Sequence, residues 1–469
     1  MRLWHFLTFL NILLIGVPML AQQQYLLTSS SPTTAQSICS RHGLTFQATA
    51  WSSYDAGKGV YLVSAPAGSS PSAVQADLSN DSSVFGVEPV QPASIAELAG
   101  ATGATLTQST SPILEAFSTT TATSFFGSSV PNIYINQPAT QLIHVNSGRQ
   151  ISGLTGSGIT VAIIDTGIDP NHPVFSSVLV PGFDFTRGVA GSASELADLN
   201  PSVSLSQSTS PILEGLKIVP MNGFSAAILD QSTSPILEGN VPKAFGHGTM
   251  IAGLVHVVAP DARIMPLKAF RSDGSSDTFN IVRAIYWATE HGAQVISMSF
   301  EITQSSPALQ AAINYAQNKG LITVAAAGND NWQTAVFPAG FSNVIGVGST
   351  NLSDVKSAFS NFGSADVKFA APGEAVITTY PGGFYAAGWG TSFSAPLLSG
   401  SVALVLQHNL QVGRCGFSDV INPLSKAVPV SQMGYGRVDL YKALTNLSGG
   451  SSSGGCGYST ATASQTTDD

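Results

Sequence analysis

The segment Ile159–Gly167 has the sequence ITVAIIDTG. Its first six residues are apolar or β-branched, which is typical of a strand buried on both faces of a parallel sheet. Asp165 ends this strand before a glycine turn, and the carboxyl ends of parallel strands are where such sheets place ligands and reactive groups. A buried carboxylate is costly without a hydrogen-bonding partner. Asp165 is therefore either a helix-capping residue or part of a functional site.

Strands and helices alternate on the C-terminal side of this segment. Ser276–His291 and Ser306–Lys319 have apolar residues at helical spacing. Four further segments are predicted strands: Ala262–Phe270, Gln294–Phe300, Leu321–Ala327 and Val344–Val347. The alternation predicts that residues 132–447 form an α/β domain with a mostly parallel sheet and helices on both faces.

Other segments flank this domain. Residues 1–21 contain an apolar run too short for a comfortable membrane span, which predicts a cleaved secretory signal rather than a membrane anchor. Residues 22–92 have the pattern β-α-β-β-α-β and predict a small ferredoxin-like α+β unit. Residues 93–131, rich in Ser, Thr and Ala, predict a linker, and residues 448–469 predict a Gly- and Ser-rich tail. We expect a soluble, secreted mature chain.

The composition excludes several classes of protein. The 469 residues include 18 basic and 27 acidic side chains, for a formal net charge of −9, so there is no basic patch for nucleic acid. Three cysteines are too few for a disulfide scaffold. Cys415 and Cys456 could pair in an oxidising compartment, which would leave Cys39 unpaired. No Cys-x-x-Cys spacing indicates a zinc site.

The octamer QSTSPILE occurs three times, at Gln108–Glu115, Gln207–Glu214 and Gln231–Glu238. Three identical copies exclude coincidence, but they are too short and too unevenly spaced for a solenoid. All three fall in predicted linkers or loops. They are either a duplicated surface insert or a device for substrate access or surface attachment.

Three more segments place a polar residue beside glycine at the edge of a predicted element. Gly246–Thr249 (GHGT) sets His247 at the start of an apolar helix, with glycines that leave the imidazole unobstructed. Ala325–Asp330 (AAAGND) ends a predicted strand at Asn329. Gly390–Pro396 (GTSFSAP) opens a long apolar helix, where a first-turn Ser lies beside free backbone N–H groups. Each has an ordinary explanation by itself: a structural histidine, a turn or a helix cap.

The order Asp, His, Asn, Ser is much harder to explain in that way. Asp, His and Ser in this chain order match one known arrangement of a catalytic triad. On these four segments the chain resembles the subtilisin-like serine proteases, over roughly residues 132–447 and through the closing segment Gly434–Asp439 (GYGRVD). The resemblance implies a subtilisin-like α/β fold and hydrolysis of peptide bonds.

The resemblance also implies a role for each residue. Ser392 would attack the peptide carbonyl, and a serine hydroxyl needs an adjacent base to do so. His247 would be that base, while Asp165 would accept its other ring N–H. The Asn329 amide and the Ser392 backbone N–H would bind the oxyanion. Asp169 is a rival for the acid, but Asp165 is preferred because it directly ends the strand.

One departure from the family pattern is the 82-position separation of Asp165 and His247. The excess, about residues 188–243, contains two octamers and predicts a surface excursion near the active site that could restrict substrates.

A second departure lies in the strand that pairs with the substrate backbone in the family. The predicted substrate-binding residues here are Ser299, Phe300 and Glu301. Glu301 stands where the family commonly has Gly. Its carboxylate either favours basic substrate side chains or, as we prefer, points to solvent.

Residues 22–92 are similar to the family's inhibitory propeptide. Such a unit can assist the slow folding of a largely parallel topology and then block the cleft with its last strand, with self-cleavage somewhere in residues 91–131. The expected partners are protein or peptide substrates and this intramolecular propeptide, and the expected state is a monomer. No cofactor is expected for catalysis. The family often binds structural calcium, but no acidic loop is clear enough to assign a metal site.

Two other functions remain open at the level of sequence. A catalytically inactive relative, acting as a surface or binding protein, would account for the repeats, the insertion and Glu301. A nucleotide-binding unit is suggested only by the turn at Ile159–Gly167, which lacks the Gly-x-Gly-x-x-Gly pattern. We expect a secreted serine endopeptidase because all four predicted catalytic positions are filled.

Overall fold

A computed structural model describes residues 22–54, 57–95, 121–199, 242, 244–363, 366–413, 416–445 and 447. The predicted signal, the three octamers, Cys415, Cys456 and the C-terminal tail lie outside these residues, as do most of the predicted linker and of the insertion. The chain forms two compact units. The first runs to Ser53 and resumes at Gly57–Pro89, and the second contains everything described from Val90 onward.

The first unit is a four-stranded sheet with two helices. Its elements are β1 (Gln24–Ser29), α1 (Pro32–His42), β2 (Thr45–Tyr54), β3 (Lys58–Ser64), α2 (Pro71–Ser79) and β4 (Gly86–Pro89). The sheet order is β2-β3-β1-β4, and β1 is antiparallel to β3 and β4. Ser31 caps α1 by accepting a hydrogen bond from Thr34 N at 3.0 Å. Cys39 is a free, buried thiol. The six elements thus occur in the predicted order.

The second unit is built on an eight-stranded sheet. The strands of the whole second unit, including those outside this sheet, are β5 (Pro92–Ile95), β6 (Ala122–Phe125), β7 (Ser128–Pro131), β8 (Thr160–Asp165), β9 (Phe183–Asp184), β10 (Val189–Ala190), β11 (Arg263–Lys268), β12 (Ser275–Asp277), β13 (Val295–Met298), β14 (Phe300–Glu301), β15 (Ile322–Ala326), β16 (Ile345–Thr350), β17 (Phe369–Pro372), β18 (Val376–Tyr380) and β19 (Phe384–Gly388). The main sheet has the order β10-β9-β11-β8-β13-β15-β16-β17.

Seven strands of this sheet are parallel, and only β10 is antiparallel to its neighbour. The chain places β11 on one side of β8 and β13 on the other. This makes the carboxyl end of β8 a topological switch point, which is where open α/β sheets bind their ligands. Asp165 is the last residue of β8.

The helices of the second unit are α3 (Asn132–Ile135), α4 (Pro138–Leu142), α5 (Val145–Ser152), α6 (His247–Val258), α7 (Thr278–Glu290), α8 (Pro307–Asn318), α9 (Thr391–Gln411), α10 (Phe417–Leu424) and α11 (Leu440–Thr445), with 3₁₀ turns at Pro173–Phe175 and Glu195–Asp198. Helices α6 and α9 pack on each other and on the sheet, and α7 and α8 form a second such pair. The predicted α/β architecture is confirmed. Within the described ranges, none of the helices has the length and apolar character that a membrane span needs.

Strand β5 lies between β12 and β14 in a separate antiparallel sheet. Ser94 pairs with Glu301, and Ile95 pairs with Phe300. On the other edge, Ile95 N donates to Gly274 O at 3.1 Å. The two ends of the predicted linker, residues 93–131, therefore contain strands: β5 at the start, and the β6–β7 hairpin at the end.

Candidate active site

Asp165 and His247 meet where β8 ends and α6 begins. His247 Nδ1 lies 2.8 Å from Oδ1 and 3.0 Å from Oδ2 of Asp165. Both residues are buried, with exposed fractions of 1% for Asp165 and 5% for His247. Asp165 Oδ1 also accepts a hydrogen bond from Thr166 N at 2.7 Å. Because the carboxylate engages Nδ1, proton exchange with a further group falls to Nε2 of the imidazole.

Glycines allow these two elements to approach so closely. A Cβ on Gly248 would overlap the carbonyl oxygen of Gly167, and a Cβ on Gly167 would overlap that of Ala193. Gly167 also has φ +102°, a backbone conformation that other residues rarely adopt. Gly248 is thus required because the first turn of α6 touches the turn that follows Asp165, whereas a Cβ on Gly246 would overlap the ring of Tyr380.

Ser392 lies in the first turn of α9, at the carboxyl end of β13. Its Oγ donates to the carbonyl oxygen of Ser299 at 3.2 Å, and Ser299 Oγ donates to the carbonyl oxygen of Ser392 at 3.1 Å. Strand β13 is the neighbour of β8, so Ser392 reaches the same edge of the sheet as Asp165. The rings of His247 and Phe393, the residue after Ser392, are 6.0 Å apart.

Asn329 follows β15, the next strand of the sheet. Its Oδ1 accepts hydrogen bonds from Thr391 N at 2.9 Å and Thr391 Oγ1 at 3.1 Å. Its Nδ2 is buried and has no hydrogen-bond partner among the described residues. The carbonyl end of the amide is therefore fixed beside the residue that precedes Ser392, and the N–H end is available to a ligand.

Glu301 does not point to solvent, so that expectation is wrong. The residue is buried, with 3% of its surface exposed. A Cβ on Gly328 would lie 2.6 Å from Glu301 Oε2, which places the carboxylate beside the turn that carries Asn329. The burial follows from the position of β14: β5 covers its edge, and the Gly328 turn meets its side chain. Phe300 and Ser299 are buried as well.

Asp169, the alternative candidate for the acid, binds backbone N–H groups of loops and not the imidazole of His247. Its Oδ1 accepts a hydrogen bond from Asn171 N at 2.9 Å, and its Oδ2 accepts one from Gly382 N at 2.8 Å. The carboxylate on the imidazole is that of Asp165, as preferred from the sequence.

Sequence reasoning missed Glu195, which belongs to the 188–243 segment. The residue is completely buried. Its carboxylate accepts hydrogen bonds from Gly246 N at 2.9 Å and Thr166 Oγ1 at 3.1 Å. Residues 188–192 of that segment are exposed, as a surface excursion requires, but Ala193 and Glu195 are buried against the turn that follows Asp165.

The arrangement can support acyl transfer by a serine nucleophile. A carboxylate holds an imidazole, a serine starts a helix at the same sheet edge, and an unpartnered amide N–H group lies beside it. In the described ranges, no group of three or more His, Cys, Asp or Glu side chains is arranged to hold a metal ion, and we assign no metal site.

The sequence is similar to those of known proteins. Residues 156–421 match the model of the subtilase family, peptidase S8. The chain is 33% identical over 301 residues to thermitase of Thermoactinomyces vulgaris. The aligned region covers 62% of this chain and 89% of thermitase. It is 32% identical over 266 residues to subtilisin Savinase of Lederbergia lenta, covering 55% and 79%. It is 33% identical over 213 residues to minor extracellular protease Epr of Bacillus subtilis (strain 168), covering 42% and 33%. Since the family match spans more than half of its length, the chain belongs to the subtilase family and is a subtilisin-like serine endopeptidase.

Proposed function

We propose that this endopeptidase cleaves peptide bonds with Ser392 as nucleophile, His247 as general base and Asp165 as the acid of the triad. The single observation that carries the assignment is the buried pair in which His247 Nδ1 lies 2.8 Å from Asp165 Oδ1. The pair stands at the switch point of the sheet, beside the first turn of the helix that carries Ser392.

In this mechanism His247 Nε2 takes the proton of Ser392 Oγ as the oxygen attacks the carbonyl carbon, and later gives it to the leaving amine. Asp165 fixes the tautomer and stabilises the imidazolium. The carbonyl oxygen becomes negatively charged at this step and is bound by Asn329 Nδ2 and the Ser392 backbone N–H. The buried, unpartnered Nδ2 supports this role, since a preorganised donor costs no rearrangement during the reaction.

We further propose that Ser299, Phe300 and Glu301 bind extended substrates through backbone pairing. Strand β5 supports this proposal because it forms such pairs with Phe300 and Glu301. An extended segment of a substrate protein would replace β5 and continue toward Ser299, whose side chain contacts Ser392.

The same pairing supports a zymogen. Residues of β5 occupy the edge that a substrate would need, so the chain that precedes the catalytic domain would inhibit it until cleaved. In the antiparallel register, Ile95 pairs with Phe300, the residue next to Ser299, whose side chain contacts Ser392. We therefore propose that residues 22–92 are an inhibitory propeptide, with self-cleavage after Ile95 and within the predicted range 91–131.

Export and a monomeric state complete the proposal. The N-terminal pattern of residues 1–21 supports a secretory signal. One relative is named an extracellular protease. Protein or peptide substrates are the expected partners.

The test is active-site labelling of the processed protein with a fluorophosphonate, which reacts with an activated serine. We expect stoichiometric labelling of the wild type and none of Ser392→Ala. A correctly processed wild type that resists labelling would contradict the proposal and favour a catalytically inactive binding protein.

A further inference from the structure

We propose that Glu195 is a positioning residue of the catalytic centre, which fixes the turn after Asp165 against the N-terminus of the helix that begins at His247. The inference rests on the proposed function, because it assumes that the Asp165–His247 pair is the catalytic base system. Glu195 is fully buried and starts a short 3₁₀ turn, Glu195–Asp198, in the segment that separates the two triad residues in sequence.

The carboxylate of Glu195 binds both sides of the pair. Its Oε2 accepts hydrogen bonds from Thr166 Oγ1 at 3.1 Å and Gly246 N at 2.9 Å. Its Oε1 accepts hydrogen bonds from Thr249 Oγ1 and from Thr249 N at 3.3 Å. One side chain thus joins the residue after Asp165 to residues on either side of His247, and each of the four partner groups is a hydrogen-bond donor.

Thr166 links the two carboxylates directly. Its Oγ1 lies 3.2 Å from Asp165 Oδ1 and 3.1 Å from Glu195 Oε2, and it accepts a hydrogen bond from Gly248 N at 2.9 Å. A hydroxyl has a single proton to donate, so the two carboxylates compete for it. The hydrogen bonds around Asp165 therefore depend on the presence and charge of Glu195.

The titratable groups that face Glu195 come from three other elements. Asp165 ends β8, Lys268 ends β11, and Tyr380 ends β18. Lys268 Nζ also contacts Asp198 Oδ2 at 2.7 Å and Thr166 O at 2.6 Å. Burial raises the pKa of Glu195 to about 7, while the hydrogen bond from Thr249 and the charge of Lys268 oppose that rise. Near neutral pH the group is thus poised between a charged and a neutral form.

Replacement of Glu195 by glutamine would keep the shape and remove the charge. A glutamine amide offers one acceptor oxygen and two N–H donors, which do not match four donors. The Asp165 turn and the first turn of α6 would lose their common anchor. Misplacement of a reacting group by about 1 Å can cost on the order of 10²-fold in rate. We therefore expect kcat to fall about 10- to 100-fold in Glu195→Gln, with KM within about threefold of the wild type.

Asp184 provides a matched control. It is also a buried carboxylate, with 2% exposed, and it accepts hydrogen bonds from Thr186 N, Thr186 Oγ1, Arg187 N and Arg187 Nη1. It contacts neither the Asp165 turn nor α6 through these bonds. Asp184→Asn should therefore change kcat and KM little, even where it lowers the unfolding temperature.

The kinetic experiment compares the processed wild type, Glu195→Gln and Asp184→Asn, with active sites counted by fluorophosphonate titration. The pH–rate profile should change near pH 7 in Glu195→Gln only, because glutamine does not titrate and the charge beside the Asp165–His247 pair then no longer changes there. A Glu195→Gln enzyme with wild-type kcat and pH profile per active site would overturn the inference. So would equal losses in Asp184→Asn.

A second measurement does not require processing. In full-length Ser392→Ala, proton NMR reports the deshielded His247 Nδ1 proton that binds Asp165. Adding Glu195→Gln should shift this resonance, and adding Asp184→Asn should leave it in place. An unmoved resonance in the glutamine variant would contradict a positioning role. The proposed function would fail separately, if Asp165→Asn kept full activity. A fully active Glu195→Gln beside an inactive Asp165→Asn would overturn only the inference about Glu195.

Discussion

Two regions of this molecule each place a buried carboxylate beside the N-terminus of α6. The strand and turn of Ile159–Gly167 carry Asp165, and segment 188–199, which contains the two-residue strand β10 and a 3₁₀ turn, carries Glu195. The first carboxylate contacts His247 directly, and the second contacts the backbone on both sides of it. The comparison teaches that the regular elements carry the proposed reacting groups, whereas a short turn from the segment between Asp165 and His247 holds those elements together.

Of the variants in the two regions, Asp165→Asn should show the largest loss of kcat. The same substitution in a triad on an unrelated fold lowers kcat about 10⁴-fold, because the imidazole adopts the wrong tautomer. We expect a loss of about that size here, measured by kcat per titrated active site.

The matched control is Asp169→Asn. Asp169 lies four residues later and is equally buried, but its hydrogen bonds go to Asn171 N and Gly382 N. The Asp169→Asn variant should be less stable than the wild type and should keep most of its kcat. A smaller loss in Asp165→Asn than in Asp169→Asn would reverse the assignment of the acid.

Asn329→Leu tests a second group at a strand end. Removal of the matching donor in a subtilisin lowers kcat about 10²–10³-fold, and we expect the same range here with little change in KM. Thr391→Val is the control, because it loosens the carbonyl end of the amide without removing the N–H donor. Equal losses in both variants would indicate that packing, and not oxyanion binding, explains the effect.

The loss of kcat in Glu195→Gln should be smaller than in Asp165→Asn and Asn329→Leu, at about 10- to 100-fold. If its loss instead equalled that of Asp165→Asn, the distinction between the strand and the loop would disappear. Kinetics of all three variants under one condition would decide the order.

His256→Leu should change stability and leave catalysis alone. His256 lies on α6 like His247, but both its ring nitrogens are buried without a hydrogen-bond partner within the described ranges. Burial, with the charges of Arg149 and His172, lowers its pKa to about 3. Between pH 6.5 and 3 the unfolded chain therefore binds a proton that the folded chain does not, and stability falls as pH falls.

The expected size follows from the pKa difference. At about 1.4 kcal/mol per pH unit, His256 costs roughly 2 kcal/mol of stability between pH 8 and pH 5. Unfolding of full-length Ser392→Ala, with and without His256→Leu, measures this at both pH values without self-digestion. An identical pH dependence in the two proteins would contradict the account.

The proposed reacting groups could be predicted from sequence because each adjoins a regular element. Asp165 ends a buried strand and Asn329 follows one, while His247 and Ser392 lie in the first turns of apolar helices that begin after glycine. Parallel strands bring such positions to one sheet edge by geometry alone. Each local pattern also has an ordinary explanation, so the prediction depended on the order of the four segments and on the family resemblance.

Glu195 and Glu301 could not be predicted in this way. The side-chain partners of Glu195 lie 29 and 54 positions away in sequence, and its segment has no periodic pattern that fixes its path. Glu301 is buried beside a turn 27 positions later and is paired with a strand more than 200 positions earlier. Burial that depends on such distant segments leaves no local trace in the sequence.

The central claim is that Asp165, His247 and Ser392 act together on a peptide bond, first on the chain itself. The most direct measurement is the mass of the secreted wild type beside that of secreted Ser392→Ala. We predict that the wild type lacks its N-terminal residues up to a point beyond Ile95 and that Ser392→Ala retains them after removal of the signal. Equal masses for the two secreted proteins would contradict the claim.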